Sequence, residues 1–200
     1  MQINIPIGPL DTEQTERFPA SFARVQELLS SKLTTGSYSF GFALELTYDF
    51  VISQQYLFQV LDEISGLESG IPHIGTKAPI PFKHPPLRGL YHKHFFTPAF
   101  MGVNLLNEMK RQNTVGNLLA PHVGKVFDEA IAKSLCRELV VGNFEKRSQR
   151  GALTGEWIIF DQINGANYYL TLSTHNELDY QAFERIQRYR QVDCELRGAA

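Results

Sequence analysis

Along residues 21–33 the apolar side chains Phe22, Val25, Leu28, Leu29 and Leu33 recur at intervals of three and four, so they form one stripe on a helix. The same spacing predicts a helix over 53–65, opened by Ser53, carrying Leu57, Val60, Leu61 and Ile64, and stopped at Gly66. A third helix, 97–112, has Thr97 as cap, Pro98 at its first position and Met101, Leu105, Leu106 and Met109 as its stripe. A fourth, 124–141, carries Phe127, Ala130, Ile131, Leu135 and Leu139 and should end at Gly142. The last runs over 179–191, with Phe183 and Ile186 inward.

Other stretches follow period two. From Tyr38 to Tyr48, Tyr38, Phe40, Phe42, Leu44, Leu46 and Tyr48 alternate with smaller or polar residues, which predicts a half-buried strand. Residues 156–161 and 168–173 flank Asn164-Gly165, the pair a two-residue hairpin turn favours because both positions need positive φ. An unbroken register would set Ile163 against Ala166, Asp161 against Tyr168, Ile159 against Leu170 and Trp157 against Leu172, forming an apolar core face. Thr154, Glu156, Thr171, Ser173 and His175 would fall on the other face, with Glu156 and His175 as diagonal neighbours. The predicted fold is therefore α+β: an antiparallel sheet holding the 154–175 hairpin, packed by four to five helices in one domain, with an N-terminal part (1–80) and a site-bearing part (81–200).

Between the second and third helices lies a long proline-containing segment, 67–96, and loops of that length inside a domain are commonly functional. It contains Lys83, His84, Arg88, His92, Lys93 and His94. In extended backbone His92 and His94 point the same way, toward one metal ion or one anionic substrate. Tyr91, Phe95 and Phe96 interleave rings that can stack on bases. A carboxylate and imidazoles supply the two halves of general acid–base catalysis, which makes Glu156, His175, His92 and His94 the candidate catalytic residues. Lys83, His84, Arg88, Lys93, Thr154 and Ser173 are the candidate substrate contacts. No closed four-ligand zinc set is legible, so neither a metal nor another cofactor is expected. His73 and His122, each beside a proline, read as structural or surface residues.

Composition changes this picture little. A net charge of −2 excludes a globally basic nucleic-acid binder and leaves room for local basic patches, as at Lys146, Arg147 and Arg150, or Arg185, Arg188 and Arg190, which read as solvated surface. No apolar run reaches the roughly 20 residues of a membrane helix, and the N-terminus lacks a secretory signal pattern, so a cytoplasmic chain without membrane contact is expected. Two distant cysteines, Cys136 and Cys194, then read as free thiols. Phosphate-loop, dinucleotide-binding, hydrolase-elbow and zincin motifs are all missing from the sequence.

The segment His-Pro-Pro-Leu-Arg-Gly-Leu (84–90), with Thr-Gly-Glu-Trp-Ile-Ile-Phe (154–160) and Tyr-Tyr-Leu-Thr-Leu through His175, resembles bacterial and phage effector domains of the barnase–EndoU–RelE-like nuclease class. The resemblance covers about 83–175. It implies metal-independent RNA cleavage through the 2′-hydroxyl, with Glu156 or His92 as base, His175 as acid and Lys93 or Arg88 as phosphate clamp. It also implies RNA, and an inhibitory protein, as partners. Two other readings compete: a metal-dependent hydrolase using His92 and His94, and a non-catalytic binding protein. The oligomeric state is not legible.

Overall fold

The computed structural model describes residues 8–52, 56–71, 75–124, 126 and 128–198. In chain order the elements are α1 (Thr12–Lys32), β1 (Ser37–Tyr38), α2 (Phe40–Ile52), α3 (Leu57–Ser69), β2 (Ile80–Pro81), β3 (Tyr91–Phe95), α4 (Met101–Gln112), α5 (Thr114–Leu119), α6 (Glu129–Arg137), α7 (Asn143–Gln149), β4 (Glu156–Ile163), β5 (Ala166–Ser173) and α8 (Asp179–Gly198). The class is α+β. Internal contacts divide the chain into two compact units, one of residues 1–73, 78–95 and 156–200, the other of 74–77 and 96–155.

The first unit holds a five-stranded sheet in the order β1-β5-β4-β3-β2, antiparallel except where β1 runs parallel to β5. The β4–β5 turn is the expected one: Asn164 and Gly165 both have positive φ, and Ile163 faces Ala166. The pairing holds through Asp161–Tyr168 and Phe160–Tyr169, then slips, so that Ile159 faces Thr171, Ile158 faces Leu172 and Trp157 faces Ser173. The expected pairings of Ile159 with Leu170 and Trp157 with Leu172 are therefore corrected. Leu170 is the extra residue of a bulge, which moves Thr171 and Ser173 onto the Trp157 face.

Neither face of the sheet is solvated in the way the alternation suggested. Phe95, Ile158, Phe160 and Tyr169 pack on one side with Val25, Leu29, Phe42, Leu46, Leu57, Leu61 and Ile64 of α1, α2 and α3. Ile159, Tyr168 and Leu170 pack on the other with Leu87, Leu90 and, from α8, Ala182 and Ile186. Burial on both faces accounts for the consecutive apolar residues Ile158-Ile159-Phe160, each worth about 1.5–3 kcal/mol of burial.

The largest departure is the predicted strand at 38–48. Only Ser37–Tyr38 is strand, and Phe40–Ile52 is helix. The Ser39 hydroxyl accepts the Phe42 N–H at 3.0 Å and so caps the helix. Its buried residues include Phe42, Ala43, Leu46 and Thr47, a helical spacing hidden inside the even-numbered alternation. The helix packs on α1, on β5 and on α8, so it carries apolar residues on more than one side and shows no single apolar stripe. Gly41 permits the α8 approach: a Cβ there would lie 2.2 Å from the Tyr189 ring.

Other boundaries move for identifiable reasons. α1 begins nine residues before the expected Ser21, because Asp11 and Gln14 form a reciprocal capping box. α3 runs past Gly66 to Gly70, which takes the left-handed conformation; the proposed Ser53 cap lies outside the described residues. His73 and Phe127 also lie outside them.

In the second unit the expected stripe of α4 is overturned. Met101 and Leu106 are exposed, whereas Asn104 and Glu108 are fully buried. Asn104 accepts from the Thr154 N–H and donates to its carbonyl, both at 2.8 Å, and accepts from Arg147 Nε at 2.8 Å. Glu108 accepts from Arg111, Gln112 and Arg150. Arg147 and Arg150 thus serve a buried polar core instead of a solvated loop, and burial lowers the Arg147 pKa. Gly142 keeps helical dihedrals (φ −61°, ψ −42°), so it joins a wide-turn segment, Glu138–Gly142, to α7 and does not stop the helix.

Glu68, at the end of α3, fastens the α1–β1 connection to the sheet. Its Oε2 accepts the N–H groups of Thr34, Thr35 and Gly36 at 3.0, 3.2 and 2.9 Å. Its Oε1 accepts from the Tyr169 hydroxyl at 2.8 Å and the Asn167 amide at 3.1 Å. Burial alone would raise this carboxyl, but the donors outweigh it and hold the pKa at about 2. A carboxyl depressed in the folded state stabilises above its unfolded pKa of about 4.3, and that contribution is lost as the pH falls toward 2. Glu68→Gln is expected to cost about 1–2 kcal/mol at pH 7, after allowance for solvent screening. The cost should vanish near pH 2; urea midpoints at the two pH values measure it, and an equal loss at both would sink the assignment.

Candidate functional site

One edge of the Trp157 face carries a cluster of four rings. β3 and β4 pair so that His94 stands opposite Trp157 and His92 opposite Ile159. His92 and His94 therefore share a face, as extended backbone requires. Their ring centroids lie 5.7 Å apart. Trp157 sits 5.0 Å from His92, 6.3 Å from His94 and 4.6 Å from His175. His175 stacks on His94 at 5.4 Å. Phe82, just past β2, closes the side with its ring 4.6 Å from His92 and 5.8 Å from Trp157.

Glu156 begins β4 and reaches the same place. Its Oε2 accepts the His175 backbone N–H at 2.9 Å and lies 3.6 Å from the ring Nδ1. The carboxylate thus fixes the His175 backbone and lies beside its ring. Accessibility differs sharply within the group. His94 is only 4 % exposed, whereas the His175 side chain is 30 % exposed and that of Glu156 20 %. His175 is the member best placed to meet a solute, and His94 is a buried platform beneath it. The structure accordingly brings His92, His94, Glu156 and His175 together.

The substrate-contact candidates are dispersed. Lys93 alternates to the opposite face, where it is buried and paired with Glu63 at 3.0 Å. Its proposed role as a phosphate clamp is corrected, since an ammonium closed off under α3 cannot meet a polynucleotide. Lys93→Met should destabilise the fold by roughly 3 kcal/mol, by stranding the Glu63 carboxylate, as urea denaturation would measure. Ser173 is buried and donates its hydroxyl to Glu177 at 2.7 Å. Thr154 belongs to the second unit and is held by Asn104. Lys83 and His84 are exposed on the loop beyond Phe82, and Arg88 is exposed further along it.

Sequence reasoning missed the charged network behind His175. Arg185 of α8, only 8 % exposed, donates to Glu177, to the Leu172 carbonyl at 2.7 Å and to the Thr171 hydroxyl at 2.8 Å, and lies 2.9 Å from Glu45 of α2. Glu45 also accepts the Leu172 N–H at 2.8 Å and the Tyr189 hydroxyl at 2.8 Å. Burial pushes the Glu45 carboxyl up, with Arg185 as the main opposing influence. Burial opposes ionisation of Glu177 too, but its bonds from Arg185 and Ser173 prevail and hold it low. The network pins the end of β5, and Glu177 N–H closes back on the Thr174 carbonyl at 3.1 Å, so the turn bearing His175 is tied at both sides. Glu45 was hidden by the false alternation of 38–48, and Arg185 by its place in an apparent surface charge run.

Among the described residues no three His, Cys, Asp or Glu side chains are placed to hold one metal ion, so the ring cluster is not preformed for one. Cys136 and Cys194 are free and exposed. No described helix is long and apolar enough to cross a membrane. No protein-family model, curated protein or solved structure matches the chain.

Proposed function

We propose that the first unit is a metal-independent ribonuclease that cleaves by acid–base transesterification at the His92–His94–Trp157–His175 cluster. The carrying observation is that two partly accessible imidazoles, His92 and His175, flank one indole, with the Glu156 carboxylate 3.6 Å from His175 Nδ1. In the proposed step His92 takes the proton of the ribose 2′-hydroxyl, and that oxygen bonds to phosphorus. The P–O5′ bond breaks, and His175, its backbone held by Glu156, gives its proton to the departing 5′-oxygen. The products are a 2′,3′-cyclic phosphate and a free 5′-hydroxyl. Trp157 and Phe82 supply faces on which a neighbouring base can stack, a contact worth about 1–3 kcal/mol.

The test is incubation of the purified chain with single-stranded RNA, with and without a chelator. Cleavage that survives chelation and leaves cyclic phosphate ends supports the reading. Cleavage abolished by chelator, or no cleavage of any RNA, overturns it.

A further inference from the structure

The loop 82–90 is built with unusual care for a segment that contributes so little strand. Phe82 N–H donates to the Leu90 carbonyl at 2.8 Å, and Leu90 N–H to the Leu87 carbonyl at 3.0 Å. Leu87 and Leu90 are both buried in the core beneath α8. Arg88 stands exposed between these two anchors, and Gly89 takes a positive φ of 95° that lets the chain turn back behind it. An arginine between two buried leucines has its backbone held at a fixed position, so little backbone freedom is lost when its side chain binds.

Arg88 lines a cavity of about 270 Å³ together with Pro86, Asp161, Phe183, Gln187 and Arg190. Arg190 donates to Asp161 Oδ2 at 2.6 Å, and Asp161 Oδ1 accepts the Gln162 N–H at 2.8 Å. Asp161 is thus committed on both oxygens and serves to aim Arg190. Two guanidiniums against one carboxylate leave the cavity with a net charge of +1, and Arg190 retains further N–H donors. Phe183 gives it an aromatic wall, and the Gln187 amide adds a neutral hydrogen-bonding group.

The cavity's position gives it meaning. Asp161 lies on the same face of β4 as Trp157, four residues farther along the strand. At roughly 3.3 Å per residue the two are separated by about 13 Å. A stacked nucleotide strand spans that distance in about four nucleotides at ~3.4 Å each, and an extended strand in fewer. Resting on the ribonuclease reading above, we infer that the Arg88–Gln187–Arg190 cavity is a remote phosphate subsite. It binds the backbone of single-stranded RNA a few nucleotides from the bond cut beside His175, so the substrate is an oligonucleotide longer than a dinucleotide.

The experiment separates this inference from the reading it rests on. Fluorescein-labelled 2′-O-methyl oligouridylates of two, four, six and eight nucleotides bind but cannot be cleaved through the 2′-oxygen, and anisotropy gives their affinities. The expected result is a rise of about tenfold or more between two and six nucleotides, then a plateau. Arg88→Glu should erase the rise, and Arg88→Ala should lower the salt slope of the six-nucleotide probe by about one. Arg88 is exposed, so both variants should fold; circular dichroism checks it, and Arg190→Gln provides a second probe from the other wall. Affinity that climbs evenly with length, or an Arg88→Glu variant with an unchanged length profile, overturns the subsite even if RNA is cut. A length step that depends on Arg88 in a chain that cuts no RNA retains the subsite and removes the ribonuclease.

Discussion

Replacing His175 by alanine should lower RNA cleavage by about 10²- to 10⁴-fold, the contribution general acid catalysis makes to proton transfer. The expectation rests on placement: of the three clustered imidazoles, His175 combines substantial exposure with a carboxylate near its Nδ1. His92→Ala should fall in the same range if it is the base. His94→Gln should act differently, because a ring 4 % exposed beneath His175 works through packing; a loss of stability should accompany any loss of rate. Glu156 touches His175 and not the reacting atoms in this scheme. Glu156→Gln keeps an acceptor for the His175 N–H and removes only the charge, so kcat should fall with KM nearly unchanged. Full-rate cleavage by His175→Ala would remove the mechanism, whatever the other variants did.

Arg185→Ala should cost about 3–5 kcal/mol of stability, because it leaves the carboxylates of Glu45 and Glu177 buried without their cation. Urea denaturation at pH 7 measures the loss. The second arm is Arg185→Met combined with Glu45→Gln. If stranded charge is the cause, the added substitution should recover part of the stability, since a neutral amide needs no counter-charge. If the double variant is no more stable than Arg185→Met alone, packing and not charge accounts for the effect. Activity should fall as well in any Arg185 variant that remains folded, because Arg185 holds the Leu172 carbonyl and Glu177 on either side of the His175 turn.

Some of this molecule is determined within short stretches of its sequence. The Asn164-Gly165 turn needs only two positive-φ positions, so the hairpin and its first pairings were legible from the dipeptide. The shared face of His92 and His94 follows from extended geometry alone. The α+β class follows from alternating local patterns, and the helical stripe of α3 from its 3.6-residue period. What tertiary structure decided is of another kind. The bulge at Leu170 carries no local signature, and it moved Thr171 and Ser173 across the sheet. In Tyr38–Tyr48 two periods fit the same residues, and only burial of α2 against α1, β5 and α8 selected helix. The candidate site depends on three separate segments, 82–94, 156–157 and 175, whose meeting is set by strand pairing across more than 60 residues of chain. Charge behaved the same way: Arg147 and Arg185 read as surface cations and Lys93 as a substrate contact, yet each is buried because a distant partner awaits it. Local backbone preference is written in neighbouring residues, whereas the partner that makes burying a charge tolerable is supplied only by the folded chain.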